Sequence, residues 1–211
     1  MKIALFGATG GTGIEFLKQS SHYPYDITAV VRSPHKLGEA FADVKVIKAS
    51  IDETETLRAA VKDFDLVLSL VGISGILQAR KPNALYQRTA QNLIRLCTEN
   101  SIPRLMVVTS GGVVEATGEP WFFRYLLKPI FLKKMYDDMN IMEELVQQSG
   151  LNYTIVRPPF LTNGPLTKDY RVIYDQWFED DKDLSRADLA HYLLEAIDDS
   201  RARNRIVGLS Y

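Results

Sequence analysis

The chain has 211 residues, of which 46% are hydrophobic and 24% charged, a balance that is typical of globular proteins and excludes disordered and collagen-like classes. Its 25 lysines and arginines nearly match its 26 aspartates and glutamates, so the basic field expected of a nucleic-acid-binding domain is absent. A single cysteine excludes an internal disulfide, and no zinc-site spacing occurs. Because no apolar run has signal-peptide or membrane-spanning length, we expect one cytoplasmic, metal-free domain over residues 1–211 without stable membrane insertion.

Apolar β-rich runs alternate with segments of helical period along the chain, which is the pattern of βαβ units around a buried parallel sheet. The predicted strands are Lys2–Phe6, Asp26–Val31, Val44–Ala49, Asp65–Leu70, Arg104–Thr109 and Tyr153–Arg157. The predicted helices are Thr12–Ser21, Glu53–Asp63, Leu85–Asn100, Met135–Ser149 and a last helix beginning near Ser185. Ser185 can cap the amide of Asp188, whose carboxylate can reach back. The predicted fold class is α/β, a doubly wound parallel sheet in a single domain with small substrate-side insertions.

A glycine-rich turn, Gly7-Ala8-Thr9-Gly10-Gly11-Thr12-Gly13, joins the first strand to the first helix. Gly7 permits the tight exit from the strand, Gly10 lets the backbone approach a pyrophosphate, and Gly13 allows the helix to pack closely on the sheet. The amides of Gly11 and Thr12 would face the phosphates at the positive helix end. The G-x-x-G-x-x-G spacing in this position predicts a Rossmann dinucleotide site with contacts from Gly7, Thr9, Gly10, Gly11, Thr12 and Gly13.

The end of the second strand discriminates between the nicotinamide cofactors, because a carboxylate there binds the ribose 2′-hydroxyl of NAD whereas arginine accommodates the 2′-phosphate of NADP. No acidic residue occupies this position. Arg32 offers a bidentate donor, Ser33 a hydroxyl and Lys36 a second cation. These residues predict NADP, and the alternative is that Arg32 is a solvated loop arginine.

Other strand ends contribute further candidates, because ligands of open parallel sheets collect beyond the carboxyl ends of the strands. Asp52, after the third strand, either binds the adenine amine or caps the following helix. We expect the fifth and sixth strand ends to hold the nicotinamide face open. The remaining candidate cofactor contacts are Leu70, Val71 and Gly72 after the fourth strand, Thr109, Ser110 and Gly111 after the fifth, and Pro158, Pro159 and Phe160 after the sixth.

Several motifs together resemble the atypical short-chain dehydrogenase/reductases, specifically the NmrA-like and biliverdin reductase B/flavin reductase group. Asp137-Asp138 is similar to the flavin reductase branch, although the histidine often found next is Met139 here, which leaves the substrate open. The resemblance implies an NADPH-dependent reductase of a planar acceptor, a flavin or a quinone. The alternative is an NmrA-like protein that senses the NADP redox state without turnover. The matching motifs are Gly7–Gly13, Val31-Arg32, Thr109-Ser110-Gly111, Ser149–Pro159 and Ser185–Ala190.

The larger family reduces carbonyls with a Tyr-x-x-x-Lys pair, whose lysine lowers the tyrosine pKa. Tyr136 stands at a plausible place, but the lysine position is Asn140, an uncharged amide. Tyr125 and Lys128 are three residues apart instead of four. Ser110 and Tyr136 are therefore the candidate catalytic residues, and a carbonyl reductase or sugar epimerase is a third function class. Hydride transfer to a flavin needs no such acid, because the charge spreads over the ring.

Two irregular segments are expected to select the substrate. Residues 119–134 are aromatic and basic, which is typical of a lid over a planar ligand, a membrane-surface helix, or an insertion packed on its own domain or on a second subunit. Residues 160–183, with Tyr174, Trp177 and Phe178, are expected to form a wall of the pocket. Neither segment identifies the ligand, and a monomer and a homodimer both stay open.

Overall fold

One mostly parallel sheet organises the chain, and the computed structural model describes residues 1–73, 84–114 and 132–211. The strands are β1 (Lys2–Phe6), β2 (Asp26–Val31), β3 (Lys45–Lys48), β4 (Leu66–Ser69), β5 (Arg104–Val108), β6 (Asn152–Arg157), β7 (Leu161–Thr162), β8 (Arg171–Tyr174), β9 (Leu184–Ser185) and β10 (Arg205–Ser210). The α-helices are α1 (Gly11–Ser20), α2 (Thr54–Ala60), α3 (Leu85–Glu99), α4 (Lys133–Gln147) and α5 (Arg186–Ala196).

The main sheet has eight strands in the order β3-β2-β1-β4-β5-β6-β10-β8. β10 runs parallel to β6, and the edge strand β8 runs antiparallel to β10. β7 and β9 form a separate short parallel pair. The direction of chain progression reverses between β1 and β4, so the crevice beyond their carboxyl ends is the topological switch point at which open α/β sheets bind ligands.

Apolar side chains cover both faces of the sheet. Along β1, Ile3 and Leu5 belong to a buried cluster that includes α1 and α5, whereas Ala4 and Phe6 belong to a second cluster that includes α2, α3 and α4. Because successive strand residues point to opposite faces, a strand that is buried on both faces is apolar at every position. The predicted α/β, doubly wound parallel sheet is confirmed.

The six predicted strands are all present, each within one residue of its predicted bounds. The sequence interpretation missed β8 and β10, because their short runs lack a following helical segment that would mark another βα unit. β10 is nevertheless central to one half of the sheet, and its Val207 and Leu209 are fully buried. Helix α2 is shorter than predicted, and Asp63, the predicted last residue, has a left-handed φ of 62° that a helix does not accept.

Helix α5 begins as the sequence predicts, with Ser185 as its N-cap. The Ser185 hydroxyl oxygen accepts a hydrogen bond from the Asp188 amide at 2.9 Å. The same hydroxyl donates a hydrogen bond to Asp188 Oδ2 at 3.0 Å. The carboxylate also accepts hydrogen bonds from the Thr167 and Lys168 amides and from the Tyr211 hydroxyl. Burial alone would raise the pKa of Asp188, but these hydrogen bonds hold it below the usual range.

Most of the aromatic, basic segment lies outside the described residues, whereas the single cysteine lies in the core. Tyr125, Lys128 and the rest of residues 119–131 lie outside the described residues, and α4 begins at Lys133. Cys97 is fully buried, and burial raises the pKa of its thiol to about 12, so it is a core residue.

Over the described ranges, no helix combines the length and apolarity needed to cross a bilayer, and no cluster of three or more His, Cys, Asp or Glu is arranged to hold a metal ion.

Candidate cofactor and substrate site

The glycine-rich turn packs too tightly for side chains at two of its positions. Gly7 has a left-handed φ of +80°, and a Cβ there would lie 2.5 Å from the Leu70 carbonyl oxygen. A Cβ on Gly13 would lie 2.4 Å from the Gly7 carbonyl oxygen. These glycines therefore bring the start of α1 against the ends of β1 and β4, at the topological switch point.

The first turn of α1 presents backbone donors to solvent. Gly10 is the N-cap, and because glycine has no side chain it cannot cap the first amides of the helix. Within the described residues, the N–H groups of Gly11 and Thr12 have no backbone acceptor; Gly11 is exposed and Thr12 half-buried, whereas Gly13 is buried. Exposed amides at the positive end of a helix are suitable phosphate donors, so this turn fits the pyrophosphate of a dinucleotide.

Two exposed cations follow β2, next to the glycine-rich turn. Arg32 and Lys36 both lie on the surface, and neither forms an ion pair with a carboxylate in the part of the chain that the structure describes. Ser33 is half-buried and precedes a 3₁₀ turn, Pro34–Leu37, that carries Lys36. The end of β2 therefore presents positive charge that no described acidic side chain neutralises.

Asp52 does not cap α2, so the capping alternative is wrong. The N-cap of α2 is Glu53, whose side chain makes no cap hydrogen bond. Asp52 Oδ1 instead lies 2.9 Å from Nε of Arg88 on α3 and 3.4 Å from Nδ2 of Asn92. The adenine contact of Asp52 stays a prediction.

The segment after β4 crosses the switch point. Leu70 and Val71 are half-buried, and Gly72 is exposed. The Ile73 amide donates a hydrogen bond to the Tyr86 hydroxyl at 3.3 Å. Burial raises the pKa of the Tyr86 hydroxyl above its ordinary value.

The start of α3 is capped from another helix, by Asp138 of α4. Ala84, the N-cap, has a left-handed φ of 45° and provides no side-chain cap. The two Asp138 oxygens accept hydrogen bonds from the amides of Tyr86 and Gln87, both at 2.9 Å. The second of the paired aspartates therefore holds α3 and α4 together, while Asp137 pairs with an exposed lysine one turn earlier in α4.

The ends of β5 and β6 are joined to α4 by a buried polar cluster of Thr109, Glu143 and Arg157. The Thr109 hydroxyl donates a hydrogen bond to Glu143 Oε1 at 2.6 Å. Glu143 is only 3% exposed and also accepts from Arg157 Nε at 3.1 Å and from Arg157 Nη2. The predicted nicotinamide contact of Thr109 would have to use atoms other than this hydroxyl proton. Sequence reasoning missed Glu143, which no local motif marks.

The two candidate catalytic residues, Ser110 and Tyr136, meet around Gly112. Ser110 Oγ accepts a hydrogen bond from the Gly112 amide at 3.2 Å. A Cβ on Gly112 would lie 2.3 Å from the Tyr136 hydroxyl oxygen, so this hydroxyl packs on the glycine backbone. Asn140 follows Tyr136 by about one turn of α4, where a Tyr-x-x-x-Lys pair has its lysine.

Trp177 lies against the end of β5, and its place in a pocket wall stays a prediction. A Cβ on Gly111 would lie 2.0 Å from its indole Cζ2, and a Cβ on Gly208 would lie 3.1 Å from its Cε3. Tyr174 differs, because its hydroxyl donates to Asp199 beyond the end of α5. Of these two aromatic residues, Trp177 is the one in contact with a predicted site residue.

The turn after β6 is anchored to the end of β5. The Gly111 amide donates a hydrogen bond to the Pro158 carbonyl oxygen at 2.7 Å. Pro158 and Pro159 are buried, whereas the following Phe160 is 74% exposed. The turn therefore has a rigid base and an apolar ring that extends into solvent.

Sequence reasoning also missed Arg186, the first residue of α5. A Cβ on Gly11 would lie 2.8 Å from Arg186 Cδ, so the arginine side chain lies on the glycine-rich turn. Its Nη1 donates a hydrogen bond to Asn163 Oδ1 at 2.8 Å. A cleft of about 430 Å³ is lined by Thr9, Gly11, Ile14, Glu15, Gln19, Asn163, Gly164, Pro165, Leu166, Arg186 and Ala187.

Comparison with known proteins extends these observations. A family model described as NAD(P)H-binding matches residues 7–200. A Bacillus subtilis protein named as an uncharacterized sugar epimerase, YhfK, is 27% identical over 215 residues, which cover 100% of this chain and 94% of the relative. A short-chain dehydrogenase/reductase from Veillonella parvula in complex with NADP has a TM-score of 0.81 at 20% identity, over 100% of this chain and 94% of that one. A Streptococcus pneumoniae protein provisionally described as an NADH-flavin reductase has a TM-score of 0.77 at 19% identity, over 100% and 99%.

Proposed function

We propose that this chain, which belongs to the NAD(P)H-binding family, is an NADP-dependent oxidoreductase. It transfers hydride from NADPH to a planar conjugated acceptor, a flavin or a quinone. The expected resemblance to short-chain dehydrogenase/reductases is confirmed by the family match and by the structural neighbours. The observation that carries the choice of cofactor is the pair of exposed cations after β2, Arg32 and Lys36.

The residues around the switch point support a nicotinamide dinucleotide, and one group of them favours NADP. The free amides of Gly11 and Thr12 suit a pyrophosphate, which both nicotinamide cofactors have. Arg32 and Lys36 suit a 2′-phosphate, which NADP alone has, and no carboxylate at the end of β2 awaits a ribose hydroxyl. A neighbour of the same fold is in complex with NADP, which agrees with this choice.

The acceptor is inferred from the chemistry available at the ends of β5 and β6. Bound NADPH supplies the hydride. Carbonyl reduction also needs a proton donor at the oxygen, and here an uncharged Asn140 stands one turn after Tyr136. A flavin or quinone spreads the incoming charge over its ring, so that positioning suffices and solvent can complete the protonation. Trp177 and the exposed Phe160 offer flat apolar surfaces for such a ring.

Consumption of NADPH with FMN, FAD and a series of quinones tests this proposal. We expect at least one planar acceptor to accelerate NADPH oxidation well above the rate without protein, and the Tyr136→Phe variant to keep that turnover. Tight NADPH binding without acceleration by any acceptor would instead favour the alternative, an NmrA-like protein that senses the NADP redox state and regulates a partner.

A carbonyl reductase or sugar epimerase is the second enzymatic candidate, and the name of the YhfK relative motivates it. Its chemistry requires an acid or base at the substrate oxygen, and Tyr136 beside Ser110 is the group available for that role. Loss of turnover in Tyr136→Phe would support this candidate against the planar acceptor. In either case we propose a cytoplasmic protein, monomer or homodimer, whose partner is a small molecule and not a nucleic acid.

A further inference from the structure

We propose that Arg186 is an additional cofactor-binding residue that contacts the pyrophosphate shared by NADPH and NADH, an inference that rests on the proposed cofactor binding at the glycine-rich turn. Arg186 is the first residue of α5, and its N-cap, Ser185, is fixed by the buried Asp188. The backbone that carries the arginine is therefore held in place, and its side chain extends from α5 towards α1.

The contact between Arg186 and Gly11 places the guanidinium at the start of α1. A Cβ on Gly11 would lie 2.8 Å from Arg186 Cδ, 3.0 Å from Nε and 3.9 Å from Cζ. The arginine thus occupies the space that a side chain at position 11 would need. It lies beside the same first turn of α1 whose amides, including that of Thr12, have no backbone acceptor in the described residues.

Two positive groups meet at this point, the Arg186 guanidinium and the amino end of α1, and no described carboxylate forms an ion pair with Arg186. The amino end of α5 already has the Asp188 carboxylate in its first turn, whereas α1 has no acidic residue in its first turn. The one hydrogen bond of the Arg186 side chain to a described residue goes to the neutral amide of Asn163. Glu15 lines the same cleft, but its carboxylate pairs with Lys18 at 2.7 Å. A bound pyrophosphate would neutralise this cluster.

The arrangement also suits recognition of a doubly charged group. Asn163 accepts from one Nη1 proton, which orients the planar guanidinium and leaves its other donors for a ligand. α1 and α5 are tied together by a hydrogen bond from Gln19 Nε2 to the Ala187 carbonyl oxygen at 2.9 Å, so the two sides of the cleft are held at a fixed spacing. Because the pyrophosphate is common to both cofactors, Arg186 should increase the affinity for each without discriminating between them.

Binding measurements with two substitutions and one control test the proposal. Arg186→Gln removes the charge, Arg186→Lys keeps it without the planar donor pair, and Arg203→Gln removes an exposed arginine at the amino end of β10, away from the site. Dissociation constants for NADPH, NADH and 2′-AMP are measured by calorimetry, and the melting temperature is measured without ligand. The nucleotide 2′-AMP has the 2′-phosphate but no pyrophosphate.

We expect Arg186→Gln to weaken NADPH and NADH by the same factor, about tenfold or about 1.4 kcal/mol, and to leave 2′-AMP binding unchanged. Arg186→Lys should lose less, Arg203→Gln should bind as the wild type does, and the loss should shrink at high salt because the charge pair is partly screened. Unchanged binding of both dinucleotides by Arg186→Gln would overturn the inference while leaving the proposed function intact. A loss confined to NADPH would also overturn it, since Arg186 would then contact the 2′-phosphate.

Two further outcomes separate this inference from its premise. If Arg186→Gln melts too low to be compared, Asn163→Ala keeps the charge but releases the guanidinium, and unchanged affinity for both dinucleotides in that variant would overturn the inference. A wild-type protein that binds neither NADPH nor NADH would overturn the inference and the proposed function together. A wild-type protein that binds both cofactors but reduces no acceptor, with the expected loss in Arg186→Gln, would support the inference and overturn only the reductase proposal.

Discussion

Replacing Arg32 with alanine should separate NADPH binding from NADH binding. Arg32 is exposed and forms no ion pair with the described carboxylates, so the substitution breaks no described ion pair and should change folding stability by less than about 0.5 kcal/mol. A charge-assisted hydrogen bond contributes about 1.5 to 3 kcal/mol, and exposure to solvent places Arg32 at the lower end of that range. The expected loss is therefore roughly tenfold or more in NADPH affinity, with little change for NADH.

Calorimetric titration of both cofactors into wild type, Arg32→Ala and the control Arg203→Ala measures this difference. The loss for NADPH should diminish as the salt concentration rises, because a partly exposed charge pair is screened. Arg203 is also exposed but lies at the amino end of β10, so its replacement should change neither affinity. Equal losses of NADPH and NADH in Arg32→Ala would mean that Arg32 supports the fold or stacks on the adenine, and the assignment of NADP would then be refuted.

Three stability predictions follow from the buried contacts. Glu143→Ala leaves the largely buried Arg157 without its carboxylate and should lower the free energy of unfolding by about 3 kcal/mol in urea titrations; a loss below about 1 kcal/mol would contradict this. The pKa of Asp188 is lowered in the folded state. The carboxylate therefore contributes fully to folding stability above the ordinary aspartate pKa, and this contribution is lost as the pH falls through the lowered pKa of the folded state. Asp188→Asn should therefore be clearly less stable than wild type at about pH 7 and differ less at about pH 3, and an equal gap at both would refute the argument. Gly13→Ala brings a Cβ to 2.4 Å from the Gly7 carbonyl oxygen and should lower the melting temperature by about 4 °C or more, whereas an unchanged value would show that α1 can shift.

The sequence by itself determined the class of fold and the position of the glycine-rich turn. The predicted bounds of β1 to β6 are within one residue of those observed. For central strands such as β1 and β4 the reason is that a strand buried on both faces is apolar at nearly every position. The glycines of the turn and the cap by Ser185 were equally readable, since each acts on groups a few residues away. The role of Arg32 at the end of β2 stays a prediction, although the structure places this residue after the strand that pairs with β1.

Only the tertiary structure decided which polar side chains hold the site together. Asp138 caps α3 from α4, Glu143 holds the Thr109 hydroxyl at the end of β5, and Arg186 lies on Gly11 from the far end of the chain. Motifs mark Asp138 and Arg186 in the sequence, and nothing local marks Glu143, but for all three the helical periodicity does not reveal a partner on another element. Packing of the helices on the two faces of the sheet brings each one to its partner, and burial then makes those contacts strong because water no longer competes for them.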